Sequence, residues 1–228
     1  MTTPVMTEAV LFDFNGVLVD DEAQHCRAMQ EILRDVGIEL SRDDYYAIYL
    51  GFDDRTGFVE AFRRAHRTLT TDVLQRLVET KSLRYQELME SSLQLVAGAA
   101  DFVRAAAKCF RLAVVTGALR REIELVLGRT PFATCFEAVI TADDVRTSKP
   151  NPEGYLAAHA ALERRRSIPR AGCVVFEDSL PGLAAARAAG MPCIMLATNH
   201  SAAKLQAHGA PVVWDSFDGH TPAELARP

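Results

Sequence analysis

The chain has 228 residues, 49% of them hydrophobic and 24% charged, with 13 glycines and 10 prolines, a globular composition that excludes collagen-like, low-complexity and largely disordered chains. Twenty-five basic against 30 acidic residues give a net charge of −5, so the electrostatic footprint of a duplex-binding protein is missing and no nucleic-acid partner is expected. The length suits one large domain, or a core carrying a smaller inserted module, with enough chain to bury a sizeable apolar interior.

The opening segment, Met1 to Ala9, has no basic stretch followed by an apolar run and does not read as a signal peptide. The run Ala9–Phe14 reads as the first strand. From about Glu22 to Ser92 no strand is convincing; the spacing predicts helices with a turn near Gly51–Asp54. A helix over Ala99–Lys108 leads to a strand at Leu112–Thr116, followed by a helix at Arg120–Leu127 and a strand at Ala138–Thr141. Next come a helix at Pro152–Arg165, a strand at Cys173–Phe176, a helix at Pro181–Ala189 and strands at Cys193–Leu196 and Val212–Trp214. The tail from Asp215 to Pro228 carries no readable pattern. Most strand candidates are continuous apolar runs, as parallel strands covered on both faces require. The β-α-β-α order therefore predicts a doubly wound, Rossmann-like α/β sheet over about residues 1–20 and 93–228, with an inserted α-helical cap over 21–92.

The five cysteines form no C-x-x-C pair and are odd in number, which argues against a metal cluster or disulfide framework and for a reducing compartment. No apolar stretch approaches the roughly 20 residues of a membrane helix. A cytoplasmic location without a membrane partner is the expectation. The run Arg164-Arg165-Arg166 reads as a solvated helix end.

In open α/β sheets ligands bind beyond the carboxyl ends of the strands. Asp13-Phe14-Asn15-Gly16 ends the first strand, Thr116-Gly117 the second and Glu177-Asp178-Ser179 the fourth; Lys149 follows the third by a short loop. Two carboxylates brought together repel unless a cation lies between them, and a hard metal such as Mg²⁺ is the natural guest. A lysine, a hydroxyl and loop N–H groups beside them would receive an oxyanion. Phosphoryl transfer is the chemistry this set suggests, with Asp13 as candidate covalent nucleophile. Lysine is scarce here: Lys81, Lys108, Lys149 and Lys204 stand among 25 basic residues, so a retained lysine points to a need for a compact ammonium.

The stretches Leu11-Phe12-Asp13-Phe14-Asn15-Gly16-Val17-Leu18, Val114-Val115-Thr116-Gly117, Ser148-Lys149-Pro150 and Phe176-Glu177-Asp178-Ser179 resemble, in order, the four motifs of the haloacid dehalogenase superfamily. The helical insert is similar to the cap of the subgroup containing β-phosphoglucomutase and phosphoglycolate phosphatase. The resemblance implies that Asp13 attacks phosphorus to form an aspartyl-phosphate and that Thr116 and Lys149 hold the transferring group. It also implies that Asp13, the Asn15 carbonyl and Asp178 bind Mg²⁺ with Glu177 supporting that shell. Gly16 would allow the tight turn, and Gly16 and Gly117 would be substrate-binding positions.

Residues of the insert complete the expectation. Lys81 falls on the helical stripe Leu74, Leu77, Val78, Lys81, Tyr85, Leu88, so it either snorkels to solvent or points into a cleft, as the substrate-facing cap lysine of the subgroup does. Arg55 with Asp54 occupies the turn where this subgroup carries substrate-recognition residues. His25 is a candidate substrate contact with a structural role as the alternative, and Asp21 with Gln24 reads as a capping box. Asp178-Ser179 also reads as the cap of the helix opening at Pro181.

One position departs from the family. Its phosphatases and mutases usually carry a second Asp two residues after the nucleophile, as acid and base; here Asn15 stands there. An amide cannot take or give a proton at neutral pH, and general acid–base help is worth about 10²–10⁴-fold. Asp20, Asp21, Glu22 and His25 are nearby in sequence as substitutes. The expected activity is Mg²⁺-dependent hydrolysis of a small phosphorylated metabolite. The alternatives are a sugar-phosphate mutase and a binding or regulatory protein with little turnover. Phosphonoacetaldehyde hydrolase chemistry needs a lysine early in the insert, and none precedes Lys81; the Asn15-Gly16 turn and the Glu177-Asp178 pair favour the metal-dependent branch over dehalogenation. Oligomeric state is not readable.

Overall fold

The computed structural model describes residues 6–164 and 166–226. Six parallel strands, β1 (Ala9–Phe12), β2 (Arg111–Val115), β3 (Ala138–Ile140), β4 (Cys173–Glu177), β5 (Cys193–Leu196) and β6 (Val212–Trp214), form one sheet in the order β3-β2-β1-β4-β5-β6. The doubly wound α/β reading of the sequence is the fold the chain adopts. Its strands read as unbroken apolar runs because both faces are covered. Val10 and Phe12 of β1 enter one apolar cluster, and Ala9 and Leu11 enter the other. On the first face Phe12 stacks on Phe176 at 5.3 Å, and Phe102, Trp214 and Phe217 close around them.

Between β1 and the next sheet-side helix, α5 (Ala99–Ala106), lie α1 (Glu22–Asp35), α2 (Arg42–Asp44) running into a wide turn at Tyr45–Tyr49, α3 (Asp54–Arg64) and α4 (Thr71–Ser92). These helices share an apolar cluster of their own, built on Cys26, Met29, Leu33, Phe58, Phe62, Leu77 and Val78. Asp53 and Thr70 start α3 and α4 by accepting the N–H of Thr56 and Val73, which supplies orphan donors of the first turn.

The sheet-side helices that follow are α6 (Arg120–Leu127), α7 (Glu153–Glu163), α8 (Leu180–Ala189) and α9 (Ala202–Ala207). Helix α9 goes beyond the sequence expectation; at six residues it is too short to show periodicity. The tail, unreadable in sequence, buries Phe217 and Leu225 against the sheet and ends in a short turn at Pro222–Ala226. Strand one ends two residues earlier than predicted: the Asp13 N–H still donates to the Phe176 carbonyl, and the chain then folds back so that Leu18 N–H donates to the Phe14 carbonyl. Arg165, within the predicted third helix and the arginine run, and Met1–Val5 lie outside the described residues. Among the described residues no helix is long and apolar enough to cross a membrane.

Candidate active site

The strand order reverses at β1, where β2 and β3 lie to one side and β4 to the other. That switch point leaves a crevice beyond the carboxyl ends of β1 and β4, and it is there that Asp13, Glu177 and Asp178 meet. One carboxylate oxygen from each lies within 4.8 Å of the others, and all three residues are buried. Lys149 reaches into the group from the loop after β3. Its Nζ is 2.9 Å from Asp13 Oδ1, 2.6 Å from Glu177 Oε1 and 3.2 Å from the Val115 carbonyl, so all three ammonium hydrogens have acceptors.

The carboxylates differ in what holds them. Glu177 is saturated: Oε1 accepts from Lys149 and from the Tyr155 hydroxyl at 2.7 Å, and Oε2 from the N–H groups of Asp178 and Ser179 and the Ser179 hydroxyl. Asp178 accepts from Asn199 Nδ2 at 2.9 Å. Burial drives the Asp13 carboxyl up to about 7, against the pull of Lys149 and with the push of Glu177. Burial, Glu177 and Asp13 hold Asp178 well above the ordinary carboxylate range. Two buried carboxyls that resist ionising side by side are what a divalent cation would relieve, so Asp13 and Asp178 fit Mg²⁺, while the saturated Glu177 fits a supporting place around it.

Gly16 has φ +73°, and a Cβ there would lie 2.3 Å from Asp178 Oδ2 and 2.6 Å from Asn199 Nδ2. The turn needs glycine for its backbone and for the closeness of the Asp178 carboxylate. Thr116 Oγ1 accepts the Ala118 N–H at 3.1 Å and donates to Asn15 Oδ1 at 3.2 Å. Ser179 caps α8 by accepting the Gly182 N–H, so the capping expectation for that segment holds for Ser179 and leaves Asp178 free to face the site.

A cavity of about 90 Å³ lies over this edge, lined by Asp13, Asn15, Gly117, Lys149 and Asp178 from the sheet side and by Glu22, His25, Tyr45, Asp54 and Lys81 from the insert. Lys81 takes the inward of its two expected orientations: it is 2% exposed, with Nζ 2.7 Å from Asp54 Oδ1 and 2.6 Å from His25 Nδ1. The His25 ring stacks on Tyr85 at 4.1 Å, and its Nε2 is 3.1 Å from Asn15 Nδ2. Burial and Lys81 push the imidazole pKa down, but Asp21 and Glu22 outweigh them and it stands raised. Arg55 does not line this cavity. It lines a neighbouring pocket of about 570 Å³ with Arg146 and Asp143, which shares Asp53, Asp54, Gly117 and Ser148 with the first. Of the predicted Asp54–Arg55 pair, it is Asp54 that faces the centre.

The Asp21–Gln24 capping box is not formed. Asp21 occupies the N-cap of α1 without a side-chain cap bond; its carboxylate turns inward to Asn15 Nδ2 at 2.7 Å and the Tyr85 hydroxyl at 2.5 Å, while Gln24 donates to Ser92 Oγ. Sequence reasoning passed over Thr198 and Asn199, which bond the Gly16 carbonyl and Asp178. They follow β5, so the rule that located the other residues points to them too. Tyr155 gave no such signal, because it reaches Glu177 from within α7.

The family model for haloacid dehalogenase-like hydrolases matches residues 7–190. The chain belongs to that family. The CbbY protein of Rhodobacter capsulatus is 30% identical over 205 residues, covering 85% of this chain and 87% of that protein. A phosphorylated carbohydrates phosphatase from Thermotoga maritima is 32% identical over 187 residues, with 81% and 82% covered. Among solved structures, a CbbY mutant from Rhodobacter sphaeroides in complex with xylulose-(1,5)bisphosphate superposes with a TM-score of 0.84 at 28% identity, covering 96% of this chain and 99% of that one.

Proposed function

We propose that this hydrolase is a Mg²⁺-dependent phosphatase of a small phosphorylated carbohydrate, acting through an aspartyl-phosphate on Asp13 beneath a cap formed by α1–α4. The observation that carries the reading is the meeting of Asp13, Asp178 and Lys149 at the switch point of the sheet. The name of the Thermotoga maritima phosphatase and the xylulose-(1,5)bisphosphate in the CbbY mutant complex support a sugar-phosphate substrate.

Mg²⁺ held by Asp13, Asp178 and the Asn15 carbonyl would supply charge neutralisation for the incoming phosphoryl oxygens. A carboxylate oxygen of Asp13 attacks phosphorus as the bond from phosphorus to the sugar oxygen breaks, and that oxygen leaves with the electron pair and takes a proton from a water molecule, which the water of the second step later restores. Water then attacks the phosphorus of the aspartyl-phosphate, releasing inorganic phosphate and regenerating the carboxylate. Lys149 turns from Asp13 to the phosphoryl group, Thr116 joins it by turning its hydroxyl from Asn15 Oδ1, and Lys81, His25 and Asp54 meet the rest of the substrate from the cap. Closure of the cap excludes bulk water and selects by shape.

Phosphate release from p-nitrophenyl phosphate and a sugar-phosphate panel, with Mg²⁺ and with chelator, tests the reading in wild type and Asp13→Asn. Metal-dependent turnover lost in the variant is the expected result. Turnover that persists in chelator, or in Asp13→Asn, overturns it. Asn15 favours a second reading, a phosphate-metabolite sensor or slow mutase, because its amide supplies no proton. Binding of sugar phosphate without its consumption is the result that selects the sensor.

A further inference from the structure

Asn15 places an amide in the cavity wall, and next to that amide is a carboxylate with no surface at all. Asp21 is 0% exposed. Its Oδ2 accepts from Asn15 Nδ2 at 2.7 Å and from the Tyr85 hydroxyl at 2.5 Å, while its Oδ1 has no hydrogen-bond partner among the described residues. The neighbours fix the orientation of the Asn15 amide. Thr116 spends its hydroxyl hydrogen on Oδ1, and Asp21 and His25 Nε2 lie 2.7 and 3.1 Å from Nδ2. Turned over, the amide would set its carbonyl oxygen against the carboxylate of Asp21. The amide nitrogen therefore faces Asp21 and His25, with one hydrogen donated to Asp21, and Oδ1 keeps one acceptor lone pair beside the Thr116 hydroxyl.

We propose that Asp21 is the positioning residue of this active site. It holds Asn15 so that position 15 offers an acceptor oxygen to a hydroxyl or water, and it makes carboxylates at positions 15 and 21 mutually exclusive. An Asp at position 15 beside the native Asp21 would set two acceptor oxygens about 2.7 Å apart, with His25 Nε2, 3.1 Å from the position-15 nitrogen and 3.6 Å from Asp21 Oδ2, as the one donor shared beside them, in a pocket that leaves Asp21 Oδ1 unmatched already; buried like charges at that range repel strongly. The catalytic consequence rests on the phosphatase reading, but the coupling of the two side chains does not.

The test is a double-mutant cycle on the full chain over Asn15→Asp, Asp21→Asn and the exchange Asn15→Asp/Asp21→Asn, read first as melting temperature in metal-free buffer. Asn15→Asp is expected to melt about 5 °C or more below wild type, and the exchange variant within about 2 °C of it, because the exchange restores one carboxylate facing one amide. Additive shifts, or an Asn15→Asp protein that melts like wild type, overturn the proposal. If Asn15→Asp does not fold, a folded exchange variant supports the coupling and an unfolded one overturns it. With turnover measured, Asp21→Ala is expected to lower kcat about 10–100-fold at little change in KM, and Asp21→Asn, which keeps an acceptor for Asn15, to stay within about threefold; an unchanged kcat in Asp21→Ala overturns the positioning role. An inactive wild type would sink the phosphatase reading and leave the melting cycle to decide the pairing.

Discussion

Asp13 is the residue on which burial and charge are most finely set against each other. In the metal-free protein its carboxyl titrates near 7, against an ordinary value of 3.8. Between those values the folded state binds more protons than the unfolded one, so this group's share of stability is full below about pH 4 and is lost as pH rises through about 7. Asp13→Asn, which cannot ionise, is therefore expected to melt a few degrees above wild type at about pH 8 in chelator, with the gap closing toward about pH 4. Added Mg²⁺ should raise the wild type and leave the variant little changed. Calorimetry across that range is the check, and a variant that melts below wild type at pH 8 would mean that Lys149 compensates the Asp13 charge in full. Such a balance is invisible in a sequence. What is visible is that Asp13, Thr116 and Glu177 each stand where an apolar run stops, and this suffices to bring them together once the sheet is parallel. Asp21 shows the opposite case: by spacing it caps a helix, and only the packing of Tyr85 on α4 beside the Asn15 turn reveals that its carboxylate points elsewhere.

Among the elements, the junction of β4 with α8 does more than end a strand. The first N–H groups after the strand, with the hydroxyl that caps the helix, converge on Glu177, and the helix N-terminus favours that negative charge. Gly182 makes room for it: a Cβ there would come within 1.9 Å of Glu177 Oε1, and Lys149 and Tyr155 leave that carboxylate nowhere to move. Gly182→Ala is expected to cost about 1–3 kcal/mol of stability by overpacking and to lower turnover by loosening Lys149. Gly190→Ala, at the other end of the same helix, meets nothing within 4 Å and should cost only the strain of its φ of +73°, with turnover kept. Denaturant melts and phosphate release on the two variants check the contrast. The periodicity of the sequence found α6 and β6 at their observed bounds. It could not find α9, too short to repeat, or the burial of Phe217 and Leu225, which are isolated apolar residues in a polar tail.

On the scale of the whole molecule, α4 runs from one apolar cluster to another. Its 22 residues span roughly 33 Å at 1.5 Å per residue. Leu77 and Val78 pack in the core of the insert, and Tyr85 and Met89 in the cluster on the sheet. Two arginines grip it from the sheet side: Arg121 donates to Ser82 Oγ at 2.8 Å, and Arg129 to the Met89 and Glu90 carbonyls. Single hydrogen bonds of this kind contribute about 0.5–1.5 kcal/mol each, enough to bias the cap closure proposed above without deciding the fold. Arg121→Ala is accordingly expected to lose several-fold in kcat/KM while melting within about 4 °C of wild type, with hydrogen exchange quickened in α4 and unchanged in the sheet. Equal loss of protection in both would show that the arginine holds the whole fold together instead. The scarcity of lysine has a practical side. Lys81 and Lys149 are paired with carboxylates deep in the crevice and held protonated, while Lys108 and Lys204 lie exposed on the outside of the sheet-side half. An amine-reactive dye would thus mark Lys108 and Lys204 and spare the two crevice lysines, and of the marked pair Lys204, in contact with His200 next to Asn199, is the one beside the site.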